Sequence, residues 1–355
     1  MADNLTIALD AMGGDHAPAM VIRGADRAAE RFPEAKFLLF GDEMRIAPLL
    51  AKAKRLAGRH EVRHTPEGVR PDDKPSQVIR KGRQTSMALA IEAVRAGKAR
   101  GVVSAGNTGA LMALAKILLK TAPGIDRPAI ASFLPTLRGE SVMLDLGANV
   151  QCDANNLVEF AVMGAEFAHC ALGLPRPTIG LLNVGTEEVK GNDALREAAQ
   201  TIRNSKGLHF DFHGFIEGND IARGTVDVVV TDGFSGNVAL KTAEGTAKLV
   251  MQFLIATFKS SWTARLGYLL ARPALQAMRQ RVDPQQYNGG VLLGLNGIVV
   301  KSHGAADSHG FANAIGVAVD MAREDILGQI ARDFRDLGPR AAAPDPDHPP
   351  RAAVS

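Results

Sequence analysis

The sequence predicts a three-layer α/β/α fold around a mainly parallel sheet, on three observations. Short apolar runs rich in Val, Ile and Leu alternate with longer amphipathic stretches, the pattern of strands covered by helices on both faces. Glycine is abundant, 36 residues in 355, and concentrates in loops that follow the apolar runs. Five of those runs end in a small or polar glycine loop, where ligands bind in open α/β sheets.

Taken in order, residues 5–9 (LTIAL) form the first strand, which breaks at Asp10-Ala-Met-Gly-Gly-Asp-His-Ala-Pro18. Paired Gly13 and Gly14 between Asp10 and Asp15 mark a working loop, because connections of this kind are otherwise short. A helix to about residue 31, a strand over 36–40, a helix over 43–54 and a strand over 61–64 follow. The segment 70–75 (RPDDKP) is a loop, since each proline restricts the residue before it. Ser86 is expected to cap the helix leading into strand 101–104.

The chain is organised around residues 102–115 (VVSAGNTGALMALA). Ser104, Gly106, Asn107, Thr108 and Gly109 make a tight turn into a helix with Leu111, Leu114, Leu118 and Leu119 on one stripe. Glycines admit a ligand close to the backbone, and the unpaired N–H groups of a first helical turn point at it. That is the recipe for an anion site, most often phosphate, although a purely structural turn reads the same way in isolation.

Further strands fall at 129–134, 142–144, 178–182 and 226–230, with helices at 154–172, 192–205 and 236–258. The loops at their ends carry Asp145 to Asn149, Asn183 to Lys190 with Gly185 and Glu187, and Thr231 to Asn237 with Asp232. The window 245–282 then holds six basic residues and no acidic one. Trp262, Leu266, Leu269 and Leu270 share a helical stripe flanked by Arg265 and Arg272, and Pro273 starts or kinks a further helix. Such a hairpin suits the plane of an anionic membrane surface, or packing against a second subunit. A glycine-rich stretch at 289–310 precedes a last helix over 311–334. Residues 1–334 thus form one domain containing the hairpin, and 335–355 form a Pro/Ala-rich disordered tail.

Several function classes are disfavoured. A net charge of +3 with one Trp and two Tyr argues against nucleic acid. Cys152 and Cys170 do not make a disulfide framework or zinc site, and point to a reducing cytoplasm. The N-terminus reads as neither signal nor transit peptide, and no uncharged apolar run reaches the roughly 18 residues of a membrane span. His209, Asp211 and His213 alternate like a metal trio, but extended neighbours diverge, so they read as plain strand residues and no metal is expected. Neighbouring Glu187 and Glu188 point apart, which weakens a shared base role. Neither Ser104 nor Ser235 sits in a Gly-x-Ser-x-Gly elbow, and neither a P-loop nor a Gly-x-Gly-x-x-Gly fingerprint occurs.

As a set, these loops resemble one family. Ile7-Ala-Leu-Asp-Ala-Met-Gly-Gly-Asp15 is similar to the opening signature of the PlsX phosphate acyltransferases. Ser104-Ala-Gly-Asn-Thr-Gly-Ala110, Asp145-Leu-Gly-Ala-Asn149, Leu182-Asn-Val-Gly-Thr-Glu-Glu-Val-Lys-Gly191 and Thr231-Asp-Gly-Phe-Ser-Gly-Asn-Val-Ala-Leu-Lys241 match in the family's order. So do Tyr287-Asn-Gly-Gly290, Leu292-Leu-Gly294 and Lys301-Ser-His-Gly304, whereas Ala305-Ala306 stand where the family commonly has serine. The resemblance covers about residues 5–333. It implies a fold like isocitrate dehydrogenases and phosphotransacetylases, a homodimer, and acyl phosphate made from acyl-acyl carrier protein and inorganic phosphate. It further implies a cytoplasmic enzyme on the inner membrane face, at the start of phospholipid synthesis, feeding a membrane glycerol-3-phosphate acyltransferase. The nearer alternative is a phosphotransacetylase using acyl-coenzyme A or a dehydrogenase of that superfold, and the further one is a non-catalytic scaffold.

For that reaction phosphate is already the nucleophile, so no cofactor is expected and the protein must position it and stabilise an oxyanion. The Gly106–Gly109 amides, Ser104, Asn107 and Thr108 are expected to bind phosphate. Lys190 is the candidate cation, Asp232 and Asn237 orient it or the phosphate, and His16 or His303 protonates the leaving thiolate. Asp10, Gly13, Gly14, Asp15, Asn149, Asn183, Gly185 and Glu187 line the pocket. The basic run Arg80, Lys81 and Arg83 is a docking candidate for an acidic carrier protein.

Overall fold

A computed structural model of the chain describes residues 5–281 and 286–336. Its strands are β1 Thr6–Asp10, β2 Lys36–Gly41, β3 His60–His64, β4 Gly101–Ser104, β5 Ala129–Thr136, β6 Gly139–Leu144, β7 Thr178–Leu182, β8 Asp211–Ile216, β9 Val228–Val230, β10 Gly290–Leu293 and β11 Ile298–Lys301. Its helices are α1 Ala19–Arg31, α2 Glu43–Leu50, α3 Pro75–Lys81, α4 Ser86–Arg95, α5 Thr108–Leu119, α6 Ala154–Leu172, α7 Asp193–Asn204, α8 Gly218–Arg223, α9 Gly233–Lys259, α10 Trp262–Arg281, α11 Ser308–Arg323 and α12 Ile326–Asp336.

Side-chain alternation makes the sheet a middle layer. Ile7 and Leu9 of β1, with Phe37 and Leu39 of β2, join a core beneath α1, α6, α7, α11 and α12. Their neighbours Ala8, Leu38 and Phe40 face a second core beneath α4 and α5. Strands buried on both faces need no polar side, which is why their sequences are continuous apolar runs. Close approach of the helices is set by small residues: a Cβ on Gly24 of α1 would lie 2.9 Å from Phe311 of α11.

All described strands join one sheet in the order β3-β2-β1-β4-β11-β10-β5-β6-β9-β7-β8. The β3, β2, β1, β4 and β11 strands are mutually parallel, as are β6, β9, β7 and β8. Between the groups the pairings β11–β10, β10–β5 and β5–β6 are antiparallel. Three reversals leave the two groups running in opposite directions. The mainly parallel sheet of the sequence reading is therefore two parallel halves, and its five strand-end loops divide between them.

Other boundaries moved for local reasons. Thr85, not Ser86, caps α4, its side chain accepting from the Ala88 amide. The expected 43–54 helix ends at Leu50, two residues after Pro48. Helix 154–172 lies where predicted, bounded by an Asp153–Asn156 capping box and by left-handed Gly173. Pro273 lies within α10 rather than starting a new helix. The final helix is split into α11 and α12 at Asp325, whose φ is 50°. Val282 and the tail from residue 337 lie outside the described residues.

Only Gly233 and Gly236 of α9 are buried, so most of this 27-residue helix stands clear of the sheet and packs on α10. Phe258 meets Tyr268 edge-on at 5.5 Å, while Trp262 is 76% and Leu270 78% exposed. No helix among the described residues is long and apolar enough to cross a membrane.

His209 precedes β8 instead of sharing a strand with Asp211 and His213. Its Nδ1 lies 3.1 Å from Asp333 of α12. Asp333 in turn hydrogen-bonds Glu166 of α6, which is only 6% exposed. Burial first, then this hydrogen bond and the Asp333 charge, push the Glu166 carboxyl up to about 8 from an ordinary 4.5. The folded state therefore holds a proton that the unfolded chain releases. The resulting stabilisation is full below about pH 4.5 and is lost as pH rises to about 8. Denaturant titrations should show parent stability falling relative to Glu166→Gln through this window, by up to about 1.4 kcal/mol per pH unit. Curves that stay parallel would mean that this proton plays no part in docking α12.

Candidate active site at the strand-end loops

In the first half of the sheet, the loops after β1, β4 and β11 are knitted around one buried carboxylate. Asp10 is 1% exposed and accepts 2.6 Å bonds from both Ser104 Oγ and Ser86 Oγ, with the Met12 amide at 3.3 Å. Burial nevertheless outweighs these donors and raises its pKa. Ser104 Oγ also accepts from the Gly106 amide at 3.1 Å. A Cβ on Gly13 would lie 2.4 Å from Asp10 Oδ2 and 2.8 Å from the Gly106 nitrogen, so only glycine lets the two loops meet. The third loop is joined by the Asp15 amide donating to Gly304 O at 2.9 Å and the Ser302 amide donating to Ser104 O at 2.9 Å.

These bonds sort the expected phosphate ligands. The Gly106 amide is committed to Ser104. Asn107 uses its side chain structurally: Oδ1 caps α5 at the Ala110 amide, and Nδ2 donates to Pro71 O and Asp73 O. That tie brings the 70–75 loop and α3 over the turn. Among the described residues, the backbone amides of Asn107, Thr108 and Gly109 have no protein acceptor. They stand at the N-terminus of a 12-residue helix, where an anion is favoured.

Lys301, the last residue of β11, pairs in register with Ser104. Its Nζ donates to Ser302 O. Burial pushes its pKa down to about 8, with Lys241 of α9 adding to the fall and Asp10 and Asp15 opposing it. His303 is also lowered, by partial burial and then by the Lys301 and Lys241 cations. Its Nδ1 accepts from the Ala305 amide at 3.2 Å, which leaves the proton of a neutral ring on Nε2. His16 is exposed in the loop after β1.

The second half is built on a second buried acid. Asp145 follows β6 and accepts from the amides of Ile130, Gly147, Ala148 and Asn149 at 2.7–3.1 Å, and from Asn149 Nδ2 at 2.9 Å. Asn149 Nδ2 also donates to Pro128 O, so that side chain shapes its loop. Asn183 does likewise, accepting from the Val184 amide and donating to Lys190 O. Asp232 caps α9, accepting from Ser235 N and Oγ, both at 2.9 Å. A cavity of about 700 Å³ opens here, lined by Asn183, Gly191, Asp232 and Ser235 among others. Glu187, Lys190 and Asn237 are exposed, and the Lys190 and Glu187 side chains both fold over the buried Gly185.

The sequence-predicted residues thus fall into two groups: Asp10 to His16, Ser104 to Gly109 and His303 in one half, and Asn149, Asn183 to Lys190, Asp232 and Asn237 in the other. Helix α9 bridges them. It starts at Asp232 and, about 13 Å along its axis, carries Lys241 into electrostatic reach of Lys301 and His303. Lys301 and Ser86 also stand in the first group, by register with Ser104 and by a hydrogen bond to Asp10, and the sequence reading assigned neither to the site. The only sequence signal for Lys301 was its place in the Lys-Ser-His-Gly stretch, and Ser86 looked like a helix cap.

A family described as "Fatty acid synthesis protein" matches residues 5–329. A phosphate acyltransferase of Rhodospirillum centenum is 62% identical, with 100% of both chains covered. One of Paramagnetospirillum magneticum is 56% identical over 97% of this chain and 98% of its own. Among solved structures, a phosphotransacetylase from Streptococcus pyogenes has a TM-score of 0.61 at 21% identity, covering 91% of this chain and 95% of that one. That likeness concerns the fold.

The Gly13 contact gives a direct test of the knitted loops. Gly13→Ala must push Asp10 or the 104–109 turn aside, and a displacement of about 1 Å at a reacting centre lowers turnover on the order of 100-fold. Steady-state turnover of the variant, beside its far-UV spectrum, checks this; parent-like turnover would show that the close approach is incidental.

Proposed function

The chain belongs to the fatty acid synthesis protein family, and from that premise we propose that it moves an acyl group from acyl carrier protein to inorganic phosphate. A phosphate oxygen attacks the thioester carbonyl, the C–O bond forms, the C–S bond breaks, and the carrier leaves as a thiolate. Acyl phosphate is the product and enters phospholipid synthesis. The observation that carries this reading is the acceptor-free Asn107–Gly109 amide cluster at the head of α5. It suits a reactant that is itself an oxyanion and needs no side-chain nucleophile.

In this reading the Asn107, Thr108 and Gly109 amides hold the phosphate, while Gly106, Ser104 and the Asn107 side chain hold the turn. Lys190, in the other half of the sheet, is the cation assigned to offset charge on the tetrahedral intermediate, with Asp232 and Asn237 assigned to order its loop and the mouth of α9. His303, biased toward the neutral ring, has Nε2–H to offer the departing thiolate, and His16 is the second candidate. The exposed Arg80, Lys81 and Arg83 of the 80–83 stretch lie beside the turn that Asn107 ties down, and form a docking face for an acidic carrier.

The α9–α10 hairpin is read as the membrane-facing element. Trp262, Leu266, Leu269 and Leu270 are exposed, and Arg265 and Arg272 flank them. A protein seated this way on the inner membrane face, as a homodimer, hands its product to a membrane glycerol-3-phosphate acyltransferase without release into bulk water.

Hydroxylamine traps acyl phosphate as acyl hydroxamate. With acyl carrier protein thioester as donor, hydroxamate should form only when phosphate is present, and Lys190→Ala should lower the rate at least about 10-fold. Phosphate-independent trapping, or preference for acyl-coenzyme A, would contradict the proposed reaction; a Lys190→Ala rate within a few-fold of the parent would remove that residue from the chemistry. In flotation with anionic vesicles, Leu266→Glu with Leu269→Glu should abolish co-flotation. Undiminished flotation would take the hairpin out of the membrane role.

A further inference from the structure

We infer that Lys301 is a catalytic residue whose ammonium, together with the Asn107–Gly109 amides, clamps the attacking phosphate. This assignment rests on the acyl-to-phosphate reading above, and it concerns a lysine in the other half of the sheet from Lys190.

Position comes first. Lys301 ends β11 in register with Ser104, so its side chain leaves the sheet beside the turn that presents the free amides. Unlike the exposed Lys190, it is partly buried. A desolvated ammonium requires a charge partner and acceptors for three N–H donors. Among the described residues it makes no ion pair with a carboxylate within 4.0 Å, and one donor is met by Ser302 O. Of the two carboxylates in electrostatic reach, Asp15 makes no ion pair with it within 4.0 Å, and the Asp10 oxygens already serve Ser86, Ser104 and the 12–13 backbone.

A partly buried ammonium with one donor met by Ser302 O, in register with the turn whose Asn107–Gly109 amides have no acceptor among the described residues, fits a compact multi-oxygen anion. Phosphate offers enough oxygens for both. Bound there, it would also draw the depressed lysine back toward its charged form. Lys301 then neutralises the incoming nucleophile, and Lys190 is left to act on the acyl side. During attack, negative charge moves from the phosphate oxygen onto the thioester carbonyl, and the proton count on Lys301 does not change.

The test pairs kinetics with binding. Lys301→Met keeps the length of the stem and removes the charge; Lys301→Arg restores it in another shape. In the hydroxamate assay, Lys301→Met should raise KM for phosphate at least about 10-fold and lower kcat about 100-fold, leaving KM for the acyl carrier thioester unchanged. Lys301→Arg should recover part of the phosphate KM. Calorimetric titration with inorganic phosphate should show the same loss of affinity in Lys301→Met, and thermal unfolding should confirm a folded variant. A parent that binds phosphate through Lys301 yet forms no hydroxamate would defeat the acyl-transfer reading and leave the site standing. If folded Lys301→Met keeps the parent's phosphate KM and affinity, the assignment is wrong. Should Lys301→Met not fold, Lys301→Gln takes its place with the same expected losses, and a raised KM for the acyl carrier thioester beside an unchanged phosphate KM contradicts the assignment.

Discussion

A carboxylate buried at the end of the first strand holds the first half of the site together. Asp10 cannot face solvent, so it takes Ser86 from the start of α4 and Ser104 from the end of β4 as donors. Ser104 passes the constraint on by accepting from the Gly106 amide, and Gly13 closes over both. One buried acid therefore sets the path of two loops and the angle at which α5 leaves the sheet. A buried polar network has value here only because every member is satisfied, and loss of one donor would leave a desolvated acid.

The second half repeats the device with different parts. Asp145 gathers backbone amides of its own loop and of β5, and a Cβ on Gly236 would come within 1.9 Å of Asp145 O, which seats the first turn of α9 against it. Because β10 and β5 reverse the sheet, the two acid-centred loops belong to strands of opposite direction. Helix α9 connects them, then continues past the sheet as the exposed hairpin. A single helix thereby links the cavity by Asp232, the cations around His303, and an apolar surface that nothing in the described chain covers.

Much of this was legible in the sequence because burial on both faces leaves a plain mark. The β1, β2, β4 and β7 strands have apolar interiors with polar residues only at their ends, and helix 154–172 is bracketed by Asp153 and Gly173. Strand direction leaves no such mark, so the reversal through β10 and β5 was invisible. Side-chain partners distant in sequence were equally hidden: Ser86 reaches Asp10 across 76 positions, and His209 reaches Asp333 across 124. Asn107 was read as a ligand because its residue type suits one. Its hydrogen bonds are spent on the helix cap and the 71–73 loop. Lys301 stood out in the sequence only through the Lys301-Ser-His-Gly304 stretch; partial burial, and no ion pair to a carboxylate among the described residues, set it apart.

The proposed seat of phosphate is the head of α5, against the Asn107–Gly109 amides, rather than the cavity beside Asn183 and Asp232. A crystal structure of the protein soaked with inorganic phosphate tests this most directly. Phosphate density is expected within hydrogen-bond distance of the Thr108 and Gly109 nitrogens and of Lys301 Nζ. Density confined to the 183–191 loop and Lys190, with the α5 amides facing only water, would contradict it.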